Sequence, residues 1–116
     1  MAPRTFKNPY NIEEHNIEVV ENTNFNVENS AVAPFKYYRM GNIVVVQASV
    51  KCLAVATGSQ AIGKVPNPKG TTIQVFFQDY NTGHYATGLI QNDTLYIRNA
   101  DQVGTYYGCT VAYFAL

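Results

Sequence analysis

The feature that most constrains this chain is the run 43–56. Within it Val44, Val46, Ala48, Val50 and Cys52 fall on one side of an extended backbone, and Gln47, Ser49 and Lys51 on the other. Side chains alternate across a strand, so this spacing builds one apolar face and one polar face, whereas a helix would scatter both sets. The apolar set is therefore expected in the core. Fourteen residues exceed the ~5–6 of an ordinary strand, so a bulge or bend is expected within the run.

The rest of the chain repeats the pattern. Segments 35–40, 61–65, 71–78, 84–91, 94–98 and 105–116 are rich in Tyr, Phe, Val, Ile and Thr, which suit a pleated surface. Ile73, Val75 and Phe77 alternate, as do Leu95 and Ile97, and both sets are expected to be buried. Turn chemistry separates the segments: Gly41-Asn42, 57–60, Pro66-Asn67-Pro68-Lys69-Gly70, Asn81-Thr82-Gly83, Asn92-Asp93 and 99–104. The one helical candidate, 11–21, places Ile12, Ile17, Val19 and Val20 on no continuous stripe, and Ile17-Glu18-Val19 alternates as a strand does. Six or seven strands without crossover helices predict an all-β, antiparallel, jelly-roll-like β-sandwich or barrel.

Composition narrows the function classes. At 116 residues one hydrophobic core is expected, and 47 % hydrophobic against 14 % charged residues excludes a disordered chain. Eight basic residues balance eight acidic ones, so no net field gathers phosphates and nucleic-acid binding is not expected. No apolar run reaches the ~20 residues that cross a bilayer, so membrane insertion is not expected. Residues 1–6 lack the apolar stretch of a signal peptide, which points to synthesis in a cytosol. Cys52 and Cys109 both lie in apolar strand-like runs and read as buried free thiols.

Charge divides the chain. Residues 1–30 carry two bases against five acids, net −3, while residues 31–116 carry six bases against three acids, net +3. Too few apolar side chains occur in 1–30 for an independent core. The segment is expected to be an extended N-terminal arm for assembly or anchoring, attached to a β-sandwich head at 31–116. Fully extended it reaches up to ~100 Å, far enough to dock on a neighbouring subunit. The plain alternative is an arm folded back as an edge strand of its own sheet.

No nucleophile-elbow, zincin, Cys-x-x-Cys, P-loop or dinucleotide motif occurs, so no catalytic residue and no cofactor are expected. Cys52 and His84 would pair as nucleophile and base only if the fold joined them. His15 beside Glu13 and Glu14 reads as a solvated polar arm rather than a metal site. The most suggestive surface is the loop holding Asp79, Tyr80, Asn81, His84 and Tyr85. Its rings suit the apolar face of a sugar, and its carboxylate, amide and imidazole suit the hydroxyls. The competing reading is a hairpin turn whose tyrosines pack on neighbouring strands. Asn99, Asp101 and Gln102 form a second polar loop. Tyr106 and Tyr107 must send one ring to each face, and the outward ring is expected to be covered by another subunit.

Four short elements resemble C-terminal tip domains of bacteriophage tail-fibre, baseplate and head-fibre proteins. They are Tyr37-Tyr38-Arg39-Met40-Gly41-Asn42-Ile43-Val44, Ile62-Gly63-Lys64-Val65-Pro66, Asn92-Asp93-Thr94-Leu95-Tyr96-Ile97, and the ending from Tyr106-Tyr107-Gly108 through Tyr113. Val65 stands where those domains usually have Leu, Asp93 where Gly usually follows Asn, and the turn at 66–70 lacks their longer Gly-Tyr-Arg-Pro segment. The resemblance implies a homotrimeric jelly-roll-like head in a virion, contacting host cell-surface glycans. It transfers no binding residue. Two other readings remain: a capsid decoration or short head-fibre protein held to other virion proteins by residues 1–30, and a bacterial carbohydrate-binding module.

Overall fold

Alternation resolves into ten antiparallel strands in the computed structural model, which describes residues 11–116. They are β1 (Glu13–Asn16), β2 (Glu18–Val19), β3 (Phe25–Asn26), β4 (Phe35–Met40), β5 (Ile43–Cys52), β6 (Ala56–Lys64), β7 (Ile73–Asp79), β8 (Tyr85–Gln91), β9 (Thr94–Ala100) and β10 (Tyr106–Phe114). Their order is β1-β4-β5-β10-β7-β8-β9-β6-β2, with β3 pairing β5 off this path. The antiparallel all-β class expected from the sequence is what forms.

The sheet behaves as two leaves. In one, β5 pairs β4 over six residues and β10 over nine. In the other, β7-β8-β9 run as consecutive hairpins and β9 continues to β6. Between β10 and β7 only two pairs connect the leaves, Tyr107↔Asp79 and Gly108↔Gln78. At the opposite side the chain itself is the connection. β1 pairs β4 and β2 pairs β6, and one residue, Ile17, separates β1 from β2. This single strap nearly closes the sheet into a flattened, sandwich-like barrel. Its backbone bonds continue through the crossing, with Ile17 N–H to the Phe35 carbonyl at 3.1 Å and Val20 N–H to the Ile62 carbonyl at 3.0 Å.

Ile17 turns inward between the leaves and is buried with Phe35, Val44, Val46, Val50, Ile62, Val75, Phe77, Ile90, Leu95 and Ile97. Burying a side chain of this size stabilises the fold by about 1.5–3 kcal/mol. Every predicted core position is buried except Ile73, which is partly exposed at the start of β7. Contact at the strap is tight. A Cβ on Gly63 would stand 2.5 Å from Ile17 Cγ2 and 2.9 Å from the Phe35 ring, so only glycine lets the strap approach β6.

Two expectations are corrected, the separate arm and the loop at 57–60, which is part of β6. Residues 13–26 are not an arm reaching away from the head: they form β1, β2 and β3 of the same sheet, the folded-back alternative. The charge difference contributes, since Lys36 Nζ meets Glu14 Oε1 at 3.1 Å across β1 and β4. Any anchoring by residues 1–10 lies outside the described residues. The bend expected within the run 43–56 forms. β5 ends at Cys52, 53–55 turn the corner, and the irregularity falls in β6, whose register with β9 shifts between Ala56 and Ser59. There Gly58, in the segment expected to be a loop, takes a positive φ of 71°. The turns Gly41-Asn42 and Asn92-Asp93 do form two-residue hairpin connections, joining Met40 to Ile43 and Gln91 to Thr94.

Two outcomes follow from strap closure. Gly63→Ala should destabilise by about 1–3 kcal/mol through overpacking, and by less in an Ile17→Ala background, where Cγ2 is gone. Chemical denaturation of the four proteins in this cycle should show coupling above roughly 0.5 kcal/mol. Additive costs would mean that Ile17 and Gly63 do not pack together. Deleting residues 1–30 removes the strap and leaves β4 and β6 as open edges, so the 31–116 fragment should aggregate or lose cooperative melting. A soluble fragment with full-length melting behaviour would show that closure is dispensable.

Candidate functional site

The sequence-selected loop sits at the weakly paired seam between β7 and β10. β7 delivers Asp79 as its last residue, opposite the buried Tyr107 of β10. The strand's alternation therefore turns the Asp79 carboxylate inward, where it organises the hairpin. Its Oδ1 accepts the Asn81 N–H at 2.8 Å and the Thr82 N–H at 2.7 Å, while the Thr82 hydroxyl donates to Oδ2. The Asp79 N–H to His84 carbonyl bond, 2.9 Å, closes the turn. Burial pushes the Asp79 pKa upward, but the hydrogen bonds from the Thr82 hydroxyl and the Thr82 and Asn81 amides prevail and hold it below the usual carboxylate value. Three hydrogen bonds within the turn and burial of the side chain make Asp79 the residue that organises the hairpin.

Tyr80 combines both readings made of it. The ring is 49 % exposed, yet its hydroxyl lies 2.6 Å from Ser49 Oγ and donates to the Val32 carbonyl at 3.2 Å. It passes over Gly108, where a Cβ would lie 2.8 Å from the ring, and tilts against Tyr106 at 5.8 Å between centroids. This explains why Ser49, on the outward face of β5, is buried. Tyr80 thus bolts the hairpin to the other leaf and walls two shallow clefts. One, of about 220 Å³, runs along Pro34, Gln47, Ser49 and Thr110; the other, of about 510 Å³, along Gln78, Asp79 and Gly83.

Asn81 and His84 are exposed at the tip of the hairpin. Tyr85 is 69 % exposed and lies opposite Gln78 on the outer face of the β7–β8 hairpin. Of the five sequence candidates, Tyr80 and Tyr85 present rings outward, Asn81 and His84 supply exposed polar groups, and Asp79 does not. The second polar loop is anchored from beneath. The Tyr107 hydroxyl accepts the Gln102 N–H at 3.0 Å and the Asp101 N–H at 3.3 Å. Outward Tyr106 is covered in part by its own chain: Lys51 Nζ stands 5.9 Å from the ring centroid and the hydroxyl bonds Glu28.

Sequence reasoning passed over Phe76. It is 64 % exposed, on the outer face of β7 between Gln74 and Gln78. The signal was present, because placing Ile73, Val75 and Phe77 inward puts Phe76 outward. A second apolar surface covers the other leaf. Ile12, Tyr38, Met40, Ile43 and Val45 line a groove of about 280 Å³, and Phe114, 66 % exposed, pairs Ile43 from β10.

Among the described residues no three of His, Cys, Asp and Glu come together as a metal site. His15 Nε2 lies 2.9 Å from Glu13 Oε2 and its ring stacks on Tyr37 at 5.0 Å. Both cysteines are buried and unpaired, and burial raises both pKa values, that of Cys109 to about 12. Neither is a thiolate at neutral pH.

Because the Asp79 pKa is depressed on folding, its contribution to stability is complete above the unfolded value and is lost as pH falls through the folded value. Asp79→Asn should therefore be less stable than wild type at pH 7, and the gap should narrow toward pH 2–3. Urea midpoints at the two pH values measure this. A gap that stays constant would mean that the carboxylate charge does not hold the turn.

No family model matches the chain, and neither do any of the curated proteins or solved structures with which it was compared.

Proposed function

We propose that the chain is a non-enzymatic structural and adhesive module, which self-associates through one leaf and contacts saccharides with the other. The observation that carries this reading is the pair of outward apolar surfaces on opposite leaves. Ile12 lies just before β1, and Tyr38, Met40, Ile43, Val45 and Phe114 lie on the strand pair β4–β5 and on β10, while Phe76, Tyr80 and Tyr85 lie on and beside the β7–β8 hairpin. Exposed apolar patches of this kind mark interaction surfaces. The first is continuous and combines aliphatic with aromatic side chains, which suits burial by another copy of the chain. The second offers isolated rings among Gln78, Asn81 and His84, which suits sugar rings with hydroxyls at their edges. The setting in a bacteriophage appendage, and a trimer as the assembly, rest on the resemblance of residues 37–44, 62–66, 92–97 and 106–113.

Paired variants separate the two surfaces. Phe114→Lys combined with Val45→Glu should shift sedimentation from trimer to monomer while leaving glycan binding intact. Tyr85→Ala should weaken glycan binding by about 1 kcal/mol or more and leave assembly and melting unchanged. Tyr85 is the cleaner probe, because Tyr80→Ala also breaks the hydroxyl bridge to Ser49 and should cost stability. A wild-type protein that is monomeric at high concentration removes the assembly half of the proposal, and equal glycan binding by wild type and Tyr85→Ala removes the adhesive half.

A further inference from the structure

The outer face of the second leaf holds a cation without a partner among the described residues. Arg98 lies in β9, half-buried, and its Nε is buried with no hydrogen-bond partner. A buried guanidinium nitrogen left unpaired is costly, and native structures rarely keep one without reason. The carboxylates of the 31–116 body are engaged elsewhere. Asp79 caps its turn, Asp93 receives Lys64 and Thr94, and Asp101 holds Gln102 and the Tyr107 hydroxyl. No ion pair reaches Arg98 from any described residue.

Register shows what surrounds it. Phe76 of β7 pairs Thr87 of β8, Thr87 pairs Arg98, and Arg98 pairs Ser59 of β6, forming one row across four strands. Thr87 and Ser59 are exposed and flank Arg98 on the two neighbouring strands, each contributing a hydroxyl to the same face. Two positions along the strands, on opposite sides of this row, stand Tyr85 on β8 and Tyr96 on β9. A charged, planar donor is thus set between two hydroxyls and bordered by three aromatic rings.

We propose that this face is an acidic-saccharide site, in which Arg98 receives a sugar carboxylate, Thr87 and Ser59 bond neighbouring hydroxyls, and Tyr85, Tyr96 or Phe76 stacks on the ring. The inference rests on the adhesive reading above and specifies its ligand class. Guanidinium matches a carboxylate in a two-point fork, which a neutral sugar does not offer. Flanking hydroxyls and rings favour a sugar over an acidic peptide, whose other contacts would be backbone amides.

The test titrates the full chain, followed by NMR, with 3′-sialyllactose and a glucuronic-acid tetrasaccharide, each beside its carboxyl-reduced counterpart. Wild type should bind an acidic sugar and move the Arg98 Nε–H resonance together with Tyr85 or Tyr96 ring signals. R98Q, checked for unchanged melting, should lose at least about tenfold in affinity, while R98K recovers part of it. Carboxyl-reduced sugars should bind wild type no better than acidic ones bind R98Q. Equal binding of acidic and reduced sugars, or of wild type and R98Q, overturns the acidic site while leaving saccharide binding standing. No binding of any sugar overturns both. Tighter binding of a poly-glutamate peptide than of either acidic sugar overturns the saccharide assignment in favour of a protein surface.

Discussion

Closure by seven residues governs this fold. Without 13–19, β4 and β6 are unpaired edges of an otherwise eight-stranded body, and their backbone groups face water or another chain. With it, each edge gains a partner from the same strap, and Ile17 fills the gap between leaves at the point of crossing. Two features make the crossing feasible. Gly63 has no Cβ to obstruct Ile17 and Phe35, and the register of β6 slips between Ala61 and Gly63 at that same place. Strap, glycine and irregularity form one device, so a change in any of them acts on the whole barrel.

The opposite seam solves the same problem with side chains. β10 and β7 share only two residue pairs, too few to hold two leaves by backbone bonding. Tyr80 compensates by crossing from one leaf to the other, its ring over Gly108 and its hydroxyl on Ser49 and Val32. Asp79 sets the turn that aims it. Here too a glycine supplies the room, since a side chain at Gly108 would displace the Tyr80 ring. Both leaves are therefore joined by a large side chain seated on a glycine, Ile17 on Gly63 and Tyr80 on Gly108.

Much of this architecture was legible in the residues, and what was not has a common cause. Alternation in 43–52, 73–79 and 94–97 assigned the inward faces, because a two-residue period survives any strand order. Gly41-Asn42 and Asn92-Asp93 marked hairpins because local backbone chemistry decides them. β2 and β3, by contrast, are two residues long and exist only because β6 and β5 lie beside them. The Glu-rich stretch 13–21 alternates only at Ile17-Glu18-Val19, enough to suggest an edge strand but not to name its partners, which depend on the open edges of β4 and β6. At the candidate site the five residues were correctly read as neighbours in a turn. Their roles depended on which faced inward, and Asp79 faces inward only because β7 keeps its alternation to its last residue. Arg98 escaped notice because its lack of a partner is a property of four strands in register.

Placement of the two surfaces on opposite leaves has a consequence for how they work together. In the assembly proposed above, chains associating through β1, β4, β5 and β10 would bury Ile43, Val45 and Phe114 and leave β7, β8 and β9 turned away from the contact. Each copy would then add one further aromatic ledge to the outside of that proposed assembly. Weak individual sugar contacts combine when several are presented on one rigid body, because the second engagement occurs at high effective concentration. Neither surface alone would serve adhesion well, since a monomeric ledge binds weakly and an assembly without one has nothing to bind with. On the proposed function the strap would serve both surfaces, since it joins the two leaves while Ile12, just before β1, lies on the proposed assembly face.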